Sequence, residues 1–480
     1  MEISNIALEL GPSCRVYTPH DGDVFDRLIS RWSSMNISLP HAIATPAIAE
    51  DITKVIKYAA KHNLKVVPVA GAHGSFLPIS SRTIYLSMSE FKDVHLDEER
   101  GEVTVSGGCV AGDVLKSLSA QGWYTCFPNS NAVGMIGSLI GGLNHPLVGL
   151  HGLGVDCIKS IDIVPFSMDD GSELREISLS ESSTESSRAR LFNTLCGAGH
   201  GLGVITSMKL KAWKIRDLNL TDGQIWSRTI MFPLDAVALA AQTYLSLQPP
   251  PPQLSMALFF VRAPPTAPQP RIPILLLSLI YFGPSKDAEE ICRHTLNEEV
   301  MKRSINIVEV PKEFATFNSA SEALNKHGDV KEFYSAILEE VDEAGIKQAY
   351  EKWRCFTDDN LASRANSIAF VTSISQKGLS SAGDFHFGRG RSHFVQALAW
   401  YKDPDEKSEA DEFGIRVIEA MRAKDRAEGR SSWGYVNNAR AGQDMRDIYN
   451  DEQIREIRRV KEIWDRSNVG WSPVVDGWEY

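Results

Sequence analysis

The sequence predicts an α+β protein: a unit with a βαβ opening, then a domain built on one large antiparallel sheet covered by helices. Three observations carry this. A βαβ opening stands at residues 40–69, where "HAIATP" and "LKVVPV" flank "AEDITKVIKYAAKHN", whose apolar residues recur at helical spacing. A glycine-dense stretch follows at 129–164, which means backbone brought close to something. From 220 to about 415, strand-like runs alternate with amphipathic helices, the pattern of a large antiparallel sheet with helices on one side.

In chain order, "TIYLSM" (83–88) and "GEVTVSGG" (101–108) read as strands and "AGDVLKSLSAQG" (111–122) as a helix. "LFNTLCGAGHGLGVITSMKLKAW" (191–213) ends in an alternating strand. In the second domain the strands are "GQIWSRTIMF", "LSMALFFV", "IPILLLSLIYF", "NSIAFVTSI" and "HFVQALAWY", and "VKEFYSAILEEVDEAGIKQAYEKW" (330–353) reads as an amphipathic helix. The Pro-rich tracts at 247–253 and 263–270 read as loops or a hairpin connection. A charged helix "NDEQIREIRRVKEIWDRS" (450–467) closes the chain. The domains are expected at 1–215 (core about 38–213), at 216–430, and at 431–480 as a segment returning to the first.

The 480 residues are 43% hydrophobic and 23% charged, with a net charge of −11 and no basic stripe, so nucleic acid and anionic membrane are not expected partners. A small-molecule substrate is. No apolar run reaches transmembrane length and the N-terminus lacks a basic leader, which points to an intracellular, cytoplasmic protein. Seven cysteines without CxxC read as free core thiols.

Familiar motifs fail one by one. The glycines of "GAGHGLG" (197–203) miss GxGxxG by one place, and GxxxxGK[ST], HExxH and GxSxG are all absent. His145 and His151 lack cysteine or acidic company at ligand spacing, so no metal is expected. What remains is a set of backbone loops able to hold a pyrophosphate without lysines, and one histidine, His73, embedded in "VAGAHGSF".

"HAIATPAIAEDITKVIKYAAKHNLKVVPVAGAHGS", "GEVTVSGGCVAGDVLKSL", "AVGMIGSLIGG", "GLHGLGVDCIKSIDIV" and "LFNTLCGAGHGLGVIT" stand in the order found in one family. The chain resembles the FAD-linked oxidases of the vanillyl-alcohol oxidase and berberine bridge enzyme type over residues 40–213 and 433–471, where "YVNN…IREIRRVKEIWDRSNVGW" is similar to their closing pattern. Its texture is most like the fungal members of secondary metabolism. The resemblance implies a PCMH-type two-part FAD-binding domain whose flavin faces a substrate domain.

It also implies a cofactor set: Ala70, Gly71, Ala72, His73 and Gly74 in one loop; Ser130, Val133, Gly134, Gly137, Ser138, Gly141 and Gly142 in the next; Gly149 and Gly152; Gly203 and Val204; and Asn437 near the flavin ring. His73 stands where the family carries a covalent 8α-histidyl bond, with noncovalent FAD as the alternative. The place of the family's second, cysteinyl tether is Ser130, so no cysteinyl link is expected.

The family's usual tyrosine base is replaced by Asn438, and an amide cannot take a proton. Candidates for the missing base are His386 and His393 in "GDFHFGRGRSHFVQALAWY", and His145 on a cofactor loop; Tyr435 is expected to line the pocket. His393 and Gln396 differ in parity, so only one of them can face the substrate. The expected activity is hydride removal from a small organic substrate, with dioxygen reoxidising the flavin. Two alternatives stay open: a flavin-scaffold isomerase or cyclase working by acid/base chemistry, and a carrier that has lost FAD.

Overall fold

The computed structural model describes residues 3–35, 38–183, 186–379 and 389–477. Arg15–Tyr17, Ala42–Thr45, Thr83–Ser87 and Lys65–Val69 form, in that order, a four-stranded sheet. Ala42–Thr45 and Lys65–Val69 both run parallel to Thr83–Ser87, which demands a crossover, and the helix Ala49–His62 supplies it. Its stripe of Ile52, Val55, Ile56 and Ala59 is buried with Ile84 and Leu86 of the sheet. Beside it lies a five-stranded antiparallel sheet in the order Val94–Asp97, Glu102–Ser106, Gly203–Lys211, Ile158–Pro165, Ile177–Ser180.

The large sheet has seven strands in the order Asn306–Glu309, Trp226–Pro233, Pro273–Tyr281, Leu254–Arg262, Ile368–Ser373, His393–Tyr401, Val330–Leu338, and every pairing is antiparallel. The Pro-rich tract at 263–270 lies in the hairpin connection between two of them. The helices Val237–Leu245, Glu343–Asp359 and Lys407–Met421 cover one face, where Phe260, Leu277 and Val395 pack with Tyr244, Trp353 and Phe413. The opposite face, carrying Phe333, Thr372, Phe394 and Gln396, looks toward the first two sheets.

Residues 330–353 correct the sequence reading. They are not one amphipathic helix: Val330–Leu338 is a strand, and the helix begins at Glu343, where the Asp342 side chain accepts the Gly345 N–H at 2.8 Å. The strand is covered on both faces, with Tyr334 and Ala336 among the helices and Phe333 and Ile337 on the other side. Its apolar run therefore shows no clean alternation.

The tail returns to the first sheet. After the helix Asp451–Trp464, opened by an Asn450/Gln453 capping box, the Val66 N–H donates to the Val469 carbonyl at 2.9 Å, and Lys65 Nζ reaches Asp476 at 2.6 Å. No helix among the described residues is long and apolar enough to cross a membrane.

Candidate functional site

A cavity of ≈ 340 Å³ opens where the first two sheets, the large sheet and the tail meet. The strand Lys65–Val69 delivers the loop 70–75 into it. A Cβ on Gly71 would stand 2.0 Å from the Ala132 carbonyl oxygen and 2.6 Å from the Gly134 nitrogen, so the two loops touch backbone to backbone as only glycine allows. Ala72 takes a left-handed φ of 56°, and its carbonyl accepts the Trp32 N–H at 3.1 Å. Among the described residues, the backbone N–H groups of Ala72, His73, Gly74 and Ser75 meet no acceptor, which makes the loop a concavity for an anion.

The His73 ring stacks on Trp32 at 5.2 Å and 16°, and Trp32 stacks in turn on Phe333 at 5.6 Å. Its Nε2 is buried and without a partner. Burial, with the nearby positive charges of His327 and Lys331, pushes its pKa down to about 3, so the imidazole is neutral with a free lone pair. Behind Trp32, the buried Lys331 ammonium donates to the carbonyls of Trp32, Lys326 and Gly328. Arg31 ties the far side of the loop, donating to the carbonyls of Leu77 at 3.0 Å and of Gly74.

The opposite wall joins sheet and tail. Asn438 Nδ2 donates to Gln396 Oε1 at 2.9 Å. The Tyr435 hydroxyl accepts from Asn437 Nδ2 at 2.9 Å and from the Asn144 N–H at 3.4 Å, while Asn437 Nδ2 also donates to the Ser138 carbonyl. Burial raises the Tyr435 pKa to about 12 despite these bonds, so the phenol keeps its proton at neutral pH. Among the described residues lining the cavity there is no Asp, Glu or Lys.

Several expected site residues lie elsewhere. His393 points into the helix layer, where its Nδ1 meets the Tyr244 hydroxyl at 3.0 Å; parity gives the cavity face to Gln396. His145 is buried with both nitrogens engaged: Nε2 donates to the Gly152 carbonyl at 2.8 Å and Nδ1 accepts the Leu147 N–H at 3.3 Å, which leaves nothing for a substrate. His386 lies outside the described residues. Ser130 turns away to Asn325 at 2.5 Å, and Val204 is buried in the core of the first sheet. Gly149 packs on Pro252 and Gly152 on Asp156, Gly141 lies against the Asn437 side chain, and Gly142 joins them outside the cavity wall.

The other named loop residues, Ala70 to Gly74, Val133, Gly134, Gly137, Ser138, Gly203 and Asn437, line it together with Tyr435. Sequence reasoning missed Arg31 and Trp32, which no motif marks. The His200 ring also lines the cavity, edge-on to Phe76 at 5.3 Å, with Nδ1 buried and unpartnered.

The FAD binding domain family matches residues 40–172, the stretch that supplies both glycine loops. The FAD-linked oxidoreductase hasG of Aspergillus fumigatus is 23% identical over 460 residues, 94% of each chain. The chain carries an FAD binding domain and is similar to the FAD-linked oxidoreductases of the berberine bridge enzyme type. Physcomitrella patens BBE-like 1 shares the fold of this FAD-linked oxidoreductase with a TM-score of 0.79 over 100% of both chains at 15% identity. A glucooligosaccharide oxidase of Acremonium strictum, whose structure reveals a novel flavinylation, superposes with a TM-score of 0.75 at 18% identity, over 99% of each chain.

The residues present fit FAD. The unbonded N–H groups of 72–75 suit a pyrophosphate, Gly71 and Gly134 keep the loops thin, and the orphaned His73 nitrogen sits in the same wall.

Proposed function

We propose that this FAD-linked oxidoreductase removes hydride from a small organic substrate held against the sheet face of Gln396, with His73 as a covalent 8α-histidyl tether and dioxygen as the final acceptor. The observation that carries the reading is the pairing of walls in one cavity: an anion-binding loop with a buried neutral imidazole on one side, a hydrogen-bonding amide pair on the other. The flavinylated Acremonium oxidase of the same fold supports both the tether and the acceptor. FAD, when bound, supplies the two-electron acceptor that no side chain offers.

The protein's own groups do the rest. The N–H groups of 72–75 would hold the phosphate oxygens of FAD, and stacking on Trp32 fixes the plane of His73. The protonated Tyr435 holds Asn437 against the Ser138 loop, and Gln396 with Asn438 orients the substrate. Neither amide can take a proton. The isomerase or cyclase alternative needs a group titrating near neutral pH. The described cavity instead holds His73 at about 3, His200, pushed down by burial to about 4, and Tyr435 at about 12.

Acid precipitation and intact mass test the reading. The expected result is a yellow pellet whose mass exceeds the chain by one FAD, with all flavin released in His73→Ala. Flavin in the wild-type supernatant would retire the tether, and a colourless protein the whole reading. Bleaching by substrate under nitrogen, with recovery in air, checks the acceptor.

A further inference from the structure

We infer that the Gln396–Asn438 pair is a recognition edge for a neutral cyclic amide, a lactam, in the substrate; the inference rests on the reading above that the substrate occupies this cavity. The pair joins one amide N–H to one amide oxygen at 2.9 Å. Each carboxamide has one oxygen and one NH2, so the bond between them leaves the other oxygen and the other NH2 without a partner among the described residues, on two side chains that both line the cavity. Exchanging the roles of the two amides leaves the same complement: one acceptor and one donor. A lactam holds its N–H and C=O cis on one edge and meets that pattern with two parallel hydrogen bonds.

The surroundings narrow the class further. On the same face, Gln396 is flanked along its strand by Phe394 and Leu398 and across the ladder by Ser335 and Phe370. Phe333 and Thr372 line the same wall. A flat apolar ring system fits against such a surface, with its polar edge on the amides. An ammonium does not: no Asp or Glu among the described lining residues would compensate it there, and burying an unpaired charge is strongly unfavourable, while the one guanidinium of the lining, Arg31, is engaged with the carbonyls of Leu77 and Gly74 in the loop wall.

The test uses the holoenzyme with 2-quinolinone and N-methyl-2-quinolinone, which differ in the one N–H, titrated by perturbation of the flavin absorbance band. The expected result is tighter binding of 2-quinolinone by about tenfold or more, because the methylated ring leaves a site oxygen unpaired. In Gln396→Leu, and in Asn438→Leu, the ratio falls to near one with flavin content unchanged. Equal affinity of the two probes for the wild-type protein, or no binding of either, overturns the inference whether or not the variants fold. A protein that purifies without flavin overturns instead the reading beneath it, and the absorbance spectrum tells these failures apart.

Discussion

At Ala72 the loop that meets the cofactor sets an alanine where the backbone asks for a glycine. Its φ of 56° brings Cβ against the neighbouring carbonyl, at roughly 1–2 kcal/mol for an L-residue. The Trp32 N–H on its carbonyl and the His73 ring on the indole hold the conformation nonetheless. Ala72→Gly is therefore expected to raise stability by about 1 kcal/mol, after the greater freedom of glycine in the unfolded chain is subtracted. Ala70, two residues earlier, has no positive φ, and Ala70→Gly is expected to lower stability by about 0.5–1 kcal/mol. Urea midpoints of the two variants measure the contrast, and equal signs would refute it.

At the scale of elements, the sequence announced what local chemistry encodes. "VAGAHGSF" reads as a backbone-thin loop because its small residues are adjacent in the chain, and "HFVQALAWY" reads as a strand because its pattern survives burial. Which parity of that strand faces the cavity was not legible: His393 and Gln396 are both polar, and only the packing of Tyr244 against His393 decides. Trp32 was equally silent, since it gains meaning from Phe333 and His73, neither of them a sequence neighbour.

The closing helix shows the same dependence on distant partners. Just past its end, Asp465 accepts from Lys461 Nζ at 2.6 Å, from the Val469 N–H at 2.7 Å and from the Gly470 N–H at 2.8 Å, all buried. Through Val469 this cluster fixes the tail to Val66 of the first sheet. Asp465→Ala removes the nearer of the two carboxylates that face the buried Lys461, leaving Asp476 at 3.9 Å, and is expected to cost about 3 kcal/mol. Lys461→Met combined with Asp465→Leu should recover much of that loss. Urea unfolding measures both, and hydrogen exchange over 465–477 should show the tail loosened in the single variant.

On the scale of the whole molecule, burial of neutral imidazoles links the parts to pH in one direction. His145 and His151 lie in the glycine-rich loops and His393 in the large domain, and desolvation is the first cause of a lowered pKa in each: about 3, about 4 and about 4. Neighbouring charge at His151 and Lys211 adds to the effect at His145 and His151 respectively, while Asp425 opposes it at His393. In the unfolded chain each titrates near its ordinary value of 6.5. Below that pH the unfolded state binds more protons than the folded one, so stability rises with pH across the window and falls as pH drops from 6.5 toward 4. Each histidine contributes about 1.4 kcal/mol per pH unit within it. The stability these groups supply is complete above 6.5, and their share of the profile should be flat there. His393→Gln is expected to flatten the acid limb by about one proton's worth of slope, without moving the flavin spectrum, because the ring lies on the helix side of the sheet. Urea midpoints at half-unit steps from pH 4.5 to pH 8 measure the slopes. An acid limb equally steep in the wild type and in His393→Gln would show that imidazole burial is not what ties folding to pH here.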